Sequence, residues 1–177
     1  MDNVQTVVSD HETLAIAKKE FLTSWGELST NWGVCKTMGQ IHGLLLISST
    51  PKCTDDIMRE LDISRGNTHI NIRALQDWNL VYKVDLDTCR KDYFIAEKDI
   101  WKVLVRIIQQ RKERELTPLI ELADRFKNLE NDGLEAKEFA SMMSEISMFS
   151  HRADQVLQNI TASESSWLMN SFMKLVR

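Results

Sequence analysis

Residues 54–96 read TDDIMRELDISRGNTHINIRALQDWNLVYKVDLDTCRKDYFIA, and this stretch determines the fold that we expect for the whole chain. Thr54 is a good helix N-cap, and the helix that it starts should end near Leu61. Ser64 should cap a second helix that runs to about Trp78. Two short helices that are joined by a three-residue turn are typical of a helix-turn-helix.

A β hairpin is predicted directly after the second helix. Asn79 stands where a helix commonly ends on a left-handed residue, a conformation that asparagine tolerates well. Residues 80–84 and 93–96 have the composition of strands, and the polar loop 85–92 joins them. We therefore expect a mainly α fold, a winged helix-turn-helix with a small two-stranded wing, flanked by dimerisation helices.

The second helix has an inner and an outer face. At about 100° per residue, Thr68, Ile72 and Leu75 fall on one stripe, which should face the core. Gly66 and Arg73 point away from that stripe, as does Ile70. No acidic residue occurs between positions 63 and 76 in a chain of net charge −4. A face without acidic residues suits contact with DNA phosphates.

The outward residues also suit the reading of bases. Arg73 can bind guanine O6 and N7, Asn67 can bind adenine, and Ile70 can contact a thymine methyl group. Gly66 allows the helix start to approach the duplex closely. Each residue alone is more often a solvated surface residue, and Asn67 could simply support the helix cap. Together with the wing, they form the predicted DNA-contacting set: Ser64, Arg65, Gly66, Asn67, His69, Ile70, Arg73, Arg90 and Lys91.

Bulk properties exclude several other classes of protein. The 177 residues contain no apolar run long enough to span a membrane, and the N-terminus lacks the features of a secretory signal, so we expect a cytoplasmic protein. Three widely spaced cysteines match neither a disulfide framework nor a metal site. Reduced thiols are the expected state, and the alternative is that Cys89 senses oxidants. Scattered histidines and the absence of a phosphate loop argue against an enzyme, a cofactor or a metal.

The flanks of the winged region should provide a dimer interface. We expect a dimerisation helix in residues 1–34, the DNA-binding core in 35–97, and a long helix with C-terminal dimerisation or effector helices in 98–177. Amphipathic and methionine-rich stretches in the flanks favour a homodimer, although an ordinary intramolecular bundle is the alternative. Trp25 and Trp32 could form part of a cage for a cationic effector. Core packing is the better explanation for this pair.

The same residues carry a resemblance to a known family. The runs 63–67 (ISRGN), 71–75 (NIRAL) and 78–81 (WNLV), together with 90–101 (RKDYFIAEKDIW) and Trp32-Gly33, resemble the GbsR-type branch of the MarR winged-helix regulators. The resemblance covers about residues 20–116, and Asn79 stands where that family usually has glycine. It implies a homodimer, usually a repressor, in a group with members tied to osmoprotectant uptake and synthesis.

The sequence therefore predicts a dimeric transcriptional regulator that binds double-stranded DNA at a palindromic operator. The resemblance implies that this regulator is a repressor. Helix 65–78 would enter the major groove, and wing 85–92 would contact the backbone or the minor groove. A small-molecule effector of unknown identity would be a second partner. The competing hypothesis is a winged helix that binds proteins and has no operator, which would have no reason to exclude acidic residues from 63–76.

Overall fold

The computed structural model describes residues 10–86, 91–129 and 133–162, and the chain divides into two compact units, Met1–Lys98 and Asp99–Arg177. The first unit contains four helices and three strands within these described residues. In chain order they are α1 (Asp10–Asn31), α2 (Lys36–Ile47), β1 (Lys52–Cys53), α3 (Thr54–Leu61), α4 (Arg65–Asp77), β2 (Val81–Val84) and β3 (Tyr93–Ala96). Helices α3 and α4 with the β2–β3 hairpin form the expected winged helix-turn-helix, which confirms the predicted fold class.

The wing contains one more strand than the sequence predicted. Strands β2 and β3 pair antiparallel, with Val81 opposite Ala96 and Val84 opposite Tyr93. Residues Lys52–Cys53 add a short third strand on the other side of β3, so the sheet order is β1-β3-β2. Two residues are too few to show the alternation by which strands are recognised in a sequence.

The start of α3 differs from the prediction as a consequence of this third strand. Because Cys53 is paired with β3, it has extended backbone angles, and it takes the cap position in place of Thr54. The Asp56 carboxylate accepts hydrogen bonds from the backbone N–H of Cys53 at 3.2 Å and from its thiol at 3.1 Å. Thr54 is the first helical residue instead, so the predicted cap was wrong by one position.

The other predicted helix ends agree with the structure to within one residue. Ser64 caps α4, and its hydroxyl accepts a hydrogen bond from the backbone N–H of Asn67. Helix α4 ends at Asp77, one residue before the predicted Trp78. Asn79 has a φ of 56°, the left-handed conformation that was expected there. Asp62 is also left-handed, with a φ of 52°, and reverses the chain between α3 and α4.

Helix α2 is the centre of the first unit, and α1 packs closely against it at glycines. A Cβ atom on Gly39 would lie 2.1 Å from the Ser29 hydroxyl and 3.2 Å from the Cα of Gly26, so side chains are excluded at this crossing. The core of the unit comprises the buried residues Met38, Ile41, Leu44, Leu45, Cys53, Ile57, Ile72, Leu75, Trp78, Leu80, Val81, Phe94 and Ala96. Helix α4 is thus anchored along its predicted inner stripe.

The second unit is helical throughout its described part. It contains α5 (Ile100–Arg111), a π-helical turn (Lys112–Leu116), α6 (Thr117–Phe126) and α7 (Leu134–Ala162). In the sequence, Thr117-Pro118 predicts the start of a new helix, because proline suits the first helical position. Helix α6 begins at Thr117, directly after the π-helical turn. The sequence also predicts a last helix that is capped by Ser163, and this segment lies outside the described residues. No helix in the described part of the chain is long and apolar enough to cross a membrane.

A polar cluster ties α6 to α7. Asp124 accepts hydrogen bonds from the buried Ser147 hydroxyl at 2.6 Å and from the Lys127 ammonium at 2.9 Å, and it contacts His151 at 3.0 Å. These three partners, Ser147 foremost, hold the pKa of the Asp124 carboxyl well below its usual range. Since two of the partners come from α7, one carboxylate fixes the register of the two helices.

Candidate nucleic-acid interface

Helix α4 presents its predicted outer face to solvent. Seven predicted contact residues on this helix and its cap are exposed: Ser64, Arg65, Gly66, Asn67, His69, Ile70 and Arg73. The Ile70 side chain is 71% exposed, which is unusual for an isoleucine and leaves it free to contact a partner. Thr68, Ile72 and Leu75, on the opposite stripe, are 0–2% exposed. The structure therefore brings the seven residues together on one surface, which we call the α4 face.

A buried asparagine behind this face was missed by the sequence analysis. The Asn71 side-chain amide donates to the side-chain oxygen of Asn67 at 2.7 Å and to its backbone oxygen at 2.8 Å. The Asn71 oxygen in turn accepts a hydrogen bond from the Cys35 thiol at 3.0 Å. The bond from Asn71 holds the Asn67 side-chain amide by its oxygen. The NH₂ group is therefore the end of the amide that can donate to a partner. The spacing of four residues between the two asparagines was the available signal.

Gly66 lies at the start of the α4 face in open space. A Cβ atom built on this glycine meets no other atom within 4 Å. Its backbone is helical, and its φ is not in the left-handed region. Neither packing nor backbone geometry within the described part of the protein therefore requires glycine here.

Two of the predicted DNA-contacting cations share one carboxylate. Asp55, in the first turn of α3, accepts a hydrogen bond from the Arg65 guanidinium at 2.7 Å and from the Lys91 ammonium at 2.9 Å. The bond from Lys91 is the largest cause of a lowered Asp55 pKa, and Asp55 likewise raises the pKa of Lys91. Lys91 belongs to the hairpin and Arg65 to α4, so Asp55 connects the wing to the α4 face.

Arg73 differs from these paired cations. It is exposed, and within the described ranges it forms no ion pair with a carboxylate. Its five N–H donors are thus available for a bidentate contact. Of the predicted wing residues, Lys91 is exposed beside Asp55, whereas Arg90 and the neighbouring Cys89 lie outside the described residues.

The two tryptophans proposed for an effector cage contact one another directly. Trp25 and Trp32 have ring centroids 6.3 Å apart in an edge-to-face arrangement, and Phe21 stacks on Trp25 with a centroid distance of 5.5 Å. The Trp25 indole N–H also donates to Nδ1 of the buried His42 at 3.3 Å. Because edge-to-face rings at this distance are in packing contact, the geometry favours a packed aromatic cluster. An effector role for this pair stays a prediction.

A winged helix-turn-helix, whose second helix exposes a face without acidic residues between positions 63 and 76, is the class of protein that the fold and the α4 face define. No model of a known protein family matches the chain. The chain is 27% identical over 100 residues to the HTH-type transcriptional repressor GbsR of Bacillus subtilis (strain 168), an alignment that covers 56% of this chain and 55% of that protein. It thus spans about half the length of this curated relative. The resemblance to GbsR-type regulators that was drawn from the helix and wing residues is confirmed as a resemblance.

A solved structure shares the fold. A crystal structure described as that of a transcriptional regulator superposes with a TM-score of 0.63 at 17% sequence identity and covers 82% of this chain and 96% of that chain. At this level of identity, the likeness shows the fold alone.

Proposed function

We propose that this protein is a dimeric, sequence-specific DNA-binding transcriptional regulator that reads the major groove with α4. The α4 face carries the proposal. It presents an arginine, an asparagine, a histidine and an isoleucine to solvent, and it has no acidic residue between positions 63 and 76. These side chains match the hydrogen-bonding and methyl groups of the major groove.

The local geometry supports this role in two further ways. The Ser64-capped N-terminus of α4 is exposed, and in helix-turn-helix proteins the N-terminal residues of the second helix contact base edges. Lys91, in the same unit, provides a cation on the wing for the phosphate backbone. The similarity to a protein named as a transcriptional repressor agrees with regulation by DNA binding and, by analogy, with repression.

A dimer follows from the geometry of DNA. One winged helix reads only about half of a typical site, and two-fold dimers place two such helices one helical turn apart. The second unit offers apolar surface for an interface. Its exposed apolar side chains on α6 and α7 are Leu119, Leu122, Leu134, Phe139, Met142, Met148, Phe149 and Val156. A soluble monomer rarely leaves an extended apolar patch uncovered, so a second copy of the chain is the proposed partner.

The deciding experiment is a selection of binding sites from genomic fragments by the purified full-length chain. We expect enrichment of a palindromic motif whose half-sites are about one DNA turn apart. A repeat with Arg73→Ala should lose preference at one base pair in each half-site. If no motif is enriched at physiological salt, sequence-specific binding is wrong, and the remaining hypothesis is a winged helix that contacts proteins.

A further inference from the structure

The Asp55 carboxylate, which Arg65 and Lys91 share, should affect the affinity of the protein for non-specific DNA. Asp55 contacts Arg65 of α4 and Lys91 of the wing, which are ten and 36 residues away in the chain. Both ion pairs are at least partly exposed, with 41% of the Asp55 side chain accessible. Such pairs contribute little to stability because water and salt screen them. The two ion pairs do, however, change the charge that the α4 face and the wing present to DNA.

The three side chains carry a net charge of about one positive unit rather than two. Binding to non-specific DNA depends almost entirely on cations that neutralise phosphates and release counterions. A phosphate that recruits Arg65 or Lys91 must therefore compete with Asp55, which already lies at hydrogen-bonding distance from both.

At a correct site the same carboxylate is useful. Arginine has five donor hydrogens and lysine has three, so each cation can remain on Asp55 and still donate to a phosphate in the right position. Asp55 would then fix the distance between α4 and the wing, and this fixed spacing favours one register on the duplex. Preorganisation of this kind helps the specific complex without helping the non-specific complex.

We propose that Asp55 is a specificity-determining positioning residue, which holds Arg65 and Lys91 in one shared ion-pair cluster and thereby restrains both cations from non-specific phosphate contacts. The proposal rests on the DNA-binding function proposed above. It assigns to an acidic side chain at the edge of the basic surface a role in discrimination between DNA sites.

The test compares Asp55→Asn with wild type on the selected operator and on scrambled DNA of equal length, across a series of salt concentrations. Asp55→Asn should strengthen binding to scrambled DNA and weaken the preference for the operator by about three- to tenfold, the size expected when a network of exposed pairs is lost. The log–log salt slope for scrambled DNA should steepen by about one unit, since one more cation is available to phosphates.

Asp62→Asn is the matched control. It removes the same charge between α3 and α4, at a left-handed position that asparagine tolerates, and the Asp62 side chain forms no ion pair within the described residues. A general electrostatic effect would change DNA binding equally in Asp55→Asn and Asp62→Asn. A merely structural role of Asp55 would weaken binding to both DNAs and lower the unfolding midpoint, which should instead stay within error of wild type.

A coupling experiment identifies the partners. In an Arg65→Ala, Lys91→Ala background, adding Asp55→Asn should no longer change binding to scrambled DNA beyond the effect of Asp62→Asn in that background. If wild type prefers its operator but Asp55→Asn behaves as Asp62→Asn does, the positioning role is wrong while the proposed function stands. If wild type itself shows no preference for any DNA sequence, both proposals are wrong.

Discussion

The indole N–H of Trp25 in α1 donates a hydrogen bond to Nδ1 of His42 in α2 at 3.3 Å. The imidazole is 4% exposed, and its Nε2 has no hydrogen-bond partner among the described residues. Because Nδ1 accepts a bond, the single proton of the neutral ring belongs on Nε2. A second proton would sit on Nδ1 and break the bond to Trp25. Burial, and secondarily the charge of Lys98, lower the His42 pKa from 6.5 to about 4.

This relationship predicts that His42 makes stability depend on pH. Because the folded pKa is lower than the unfolded value, the unfolded chain binds more protons between about pH 4 and 6.5. The His42 contribution is therefore complete above pH 6.5 and is lost as the pH falls towards 4, for a total of about 3 kcal/mol. Denaturant unfolding of wild type and His42→Gln at several pH values measures the difference, in which the effects of shared carboxylates cancel.

Glutamine is the suitable replacement, because its side-chain oxygen can accept the Trp25 hydrogen bond but cannot be protonated in this range. His69→Gln, which replaces an exposed histidine on α4, serves as the control. Its stability should depend on pH as that of the wild type does. Parallel stability profiles for wild type and His42→Gln from pH 7 to 4 would show that His42 does not carry the dependence.

The winged region was predictable from sequence because its signals are local. The Ser64 cap, the left-handed Asn79 and the inner stripe of α4 each depend on residues within one or two helical turns, and all three agree with the structure. The third strand and the Cys53 cap were not predictable, since both arise from pairing with β3 about 40 residues later. A two-residue strand has no pattern of its own.

The polar contacts behind the α4 face were not predictable either, because their partners are far apart in the sequence. Asp55 reads in sequence only as an acidic residue suited to a helix N-terminus, whereas its partner Lys91 is 36 residues away. The Cys35–Asn71 bond spans the same separation and joins α2 to α4. Outward exposure of the α4 face followed from helical periodicity, but the restraint of its side chains depends on tertiary contacts that periodicity does not describe.

Gly66→Ala should separate stability from DNA binding. The glycine is helical, and an added Cβ would lie in open space, so alanine should stabilise the protein by about 0.5–1 kcal/mol. If α4 approaches DNA closely at this point, the same methyl group should weaken operator binding. Denaturant unfolding of Gly66→Ala measures the effect on stability, and titration of the same preparation with operator DNA measures the effect on affinity. Unchanged operator affinity in a stabilised variant would show that Gly66 does not face the duplex.

Arg73→Ala should impair recognition rather than general affinity. Arg73 is exposed and has no carboxylate partner within the described part of the chain, so its loss leaves no unpaired charge in the protein. We expect a cost of about 1–3 kcal/mol on the operator and a relaxed preference at one base pair. Arg111→Ala, which removes a partly exposed arginine paired with Glu115 in the second unit, is the control. An unchanged ratio of operator to scrambled binding would contradict a base contact by Arg73.

Phe149→Glu should dissociate the proposed dimer without unfolding the chain. Phe149 lies on α7 with 72% of its surface exposed, beside the exposed Met148 and near Met142, and burial of such side chains drives stable association. A charge at this position costs little in a monomer, because it remains in water, but would be unpaired in an apolar interface. Light scattering at micromolar concentration should change from twice 20.5 kDa to 20.5 kDa.

Asn159→Glu, an exposed polar position on the same helix, should remain dimeric and thereby controls for the added charge. Operator binding should weaken in Phe149→Glu far more than binding to an isolated half-site, since two tethered half-site contacts become independent. Circular dichroism should show unchanged helix content. A wild-type mass of 20.5 kDa together with full affinity for the palindrome would mean that the exposed face of α6 and α7 is not the interface, and that one protomer suffices for binding.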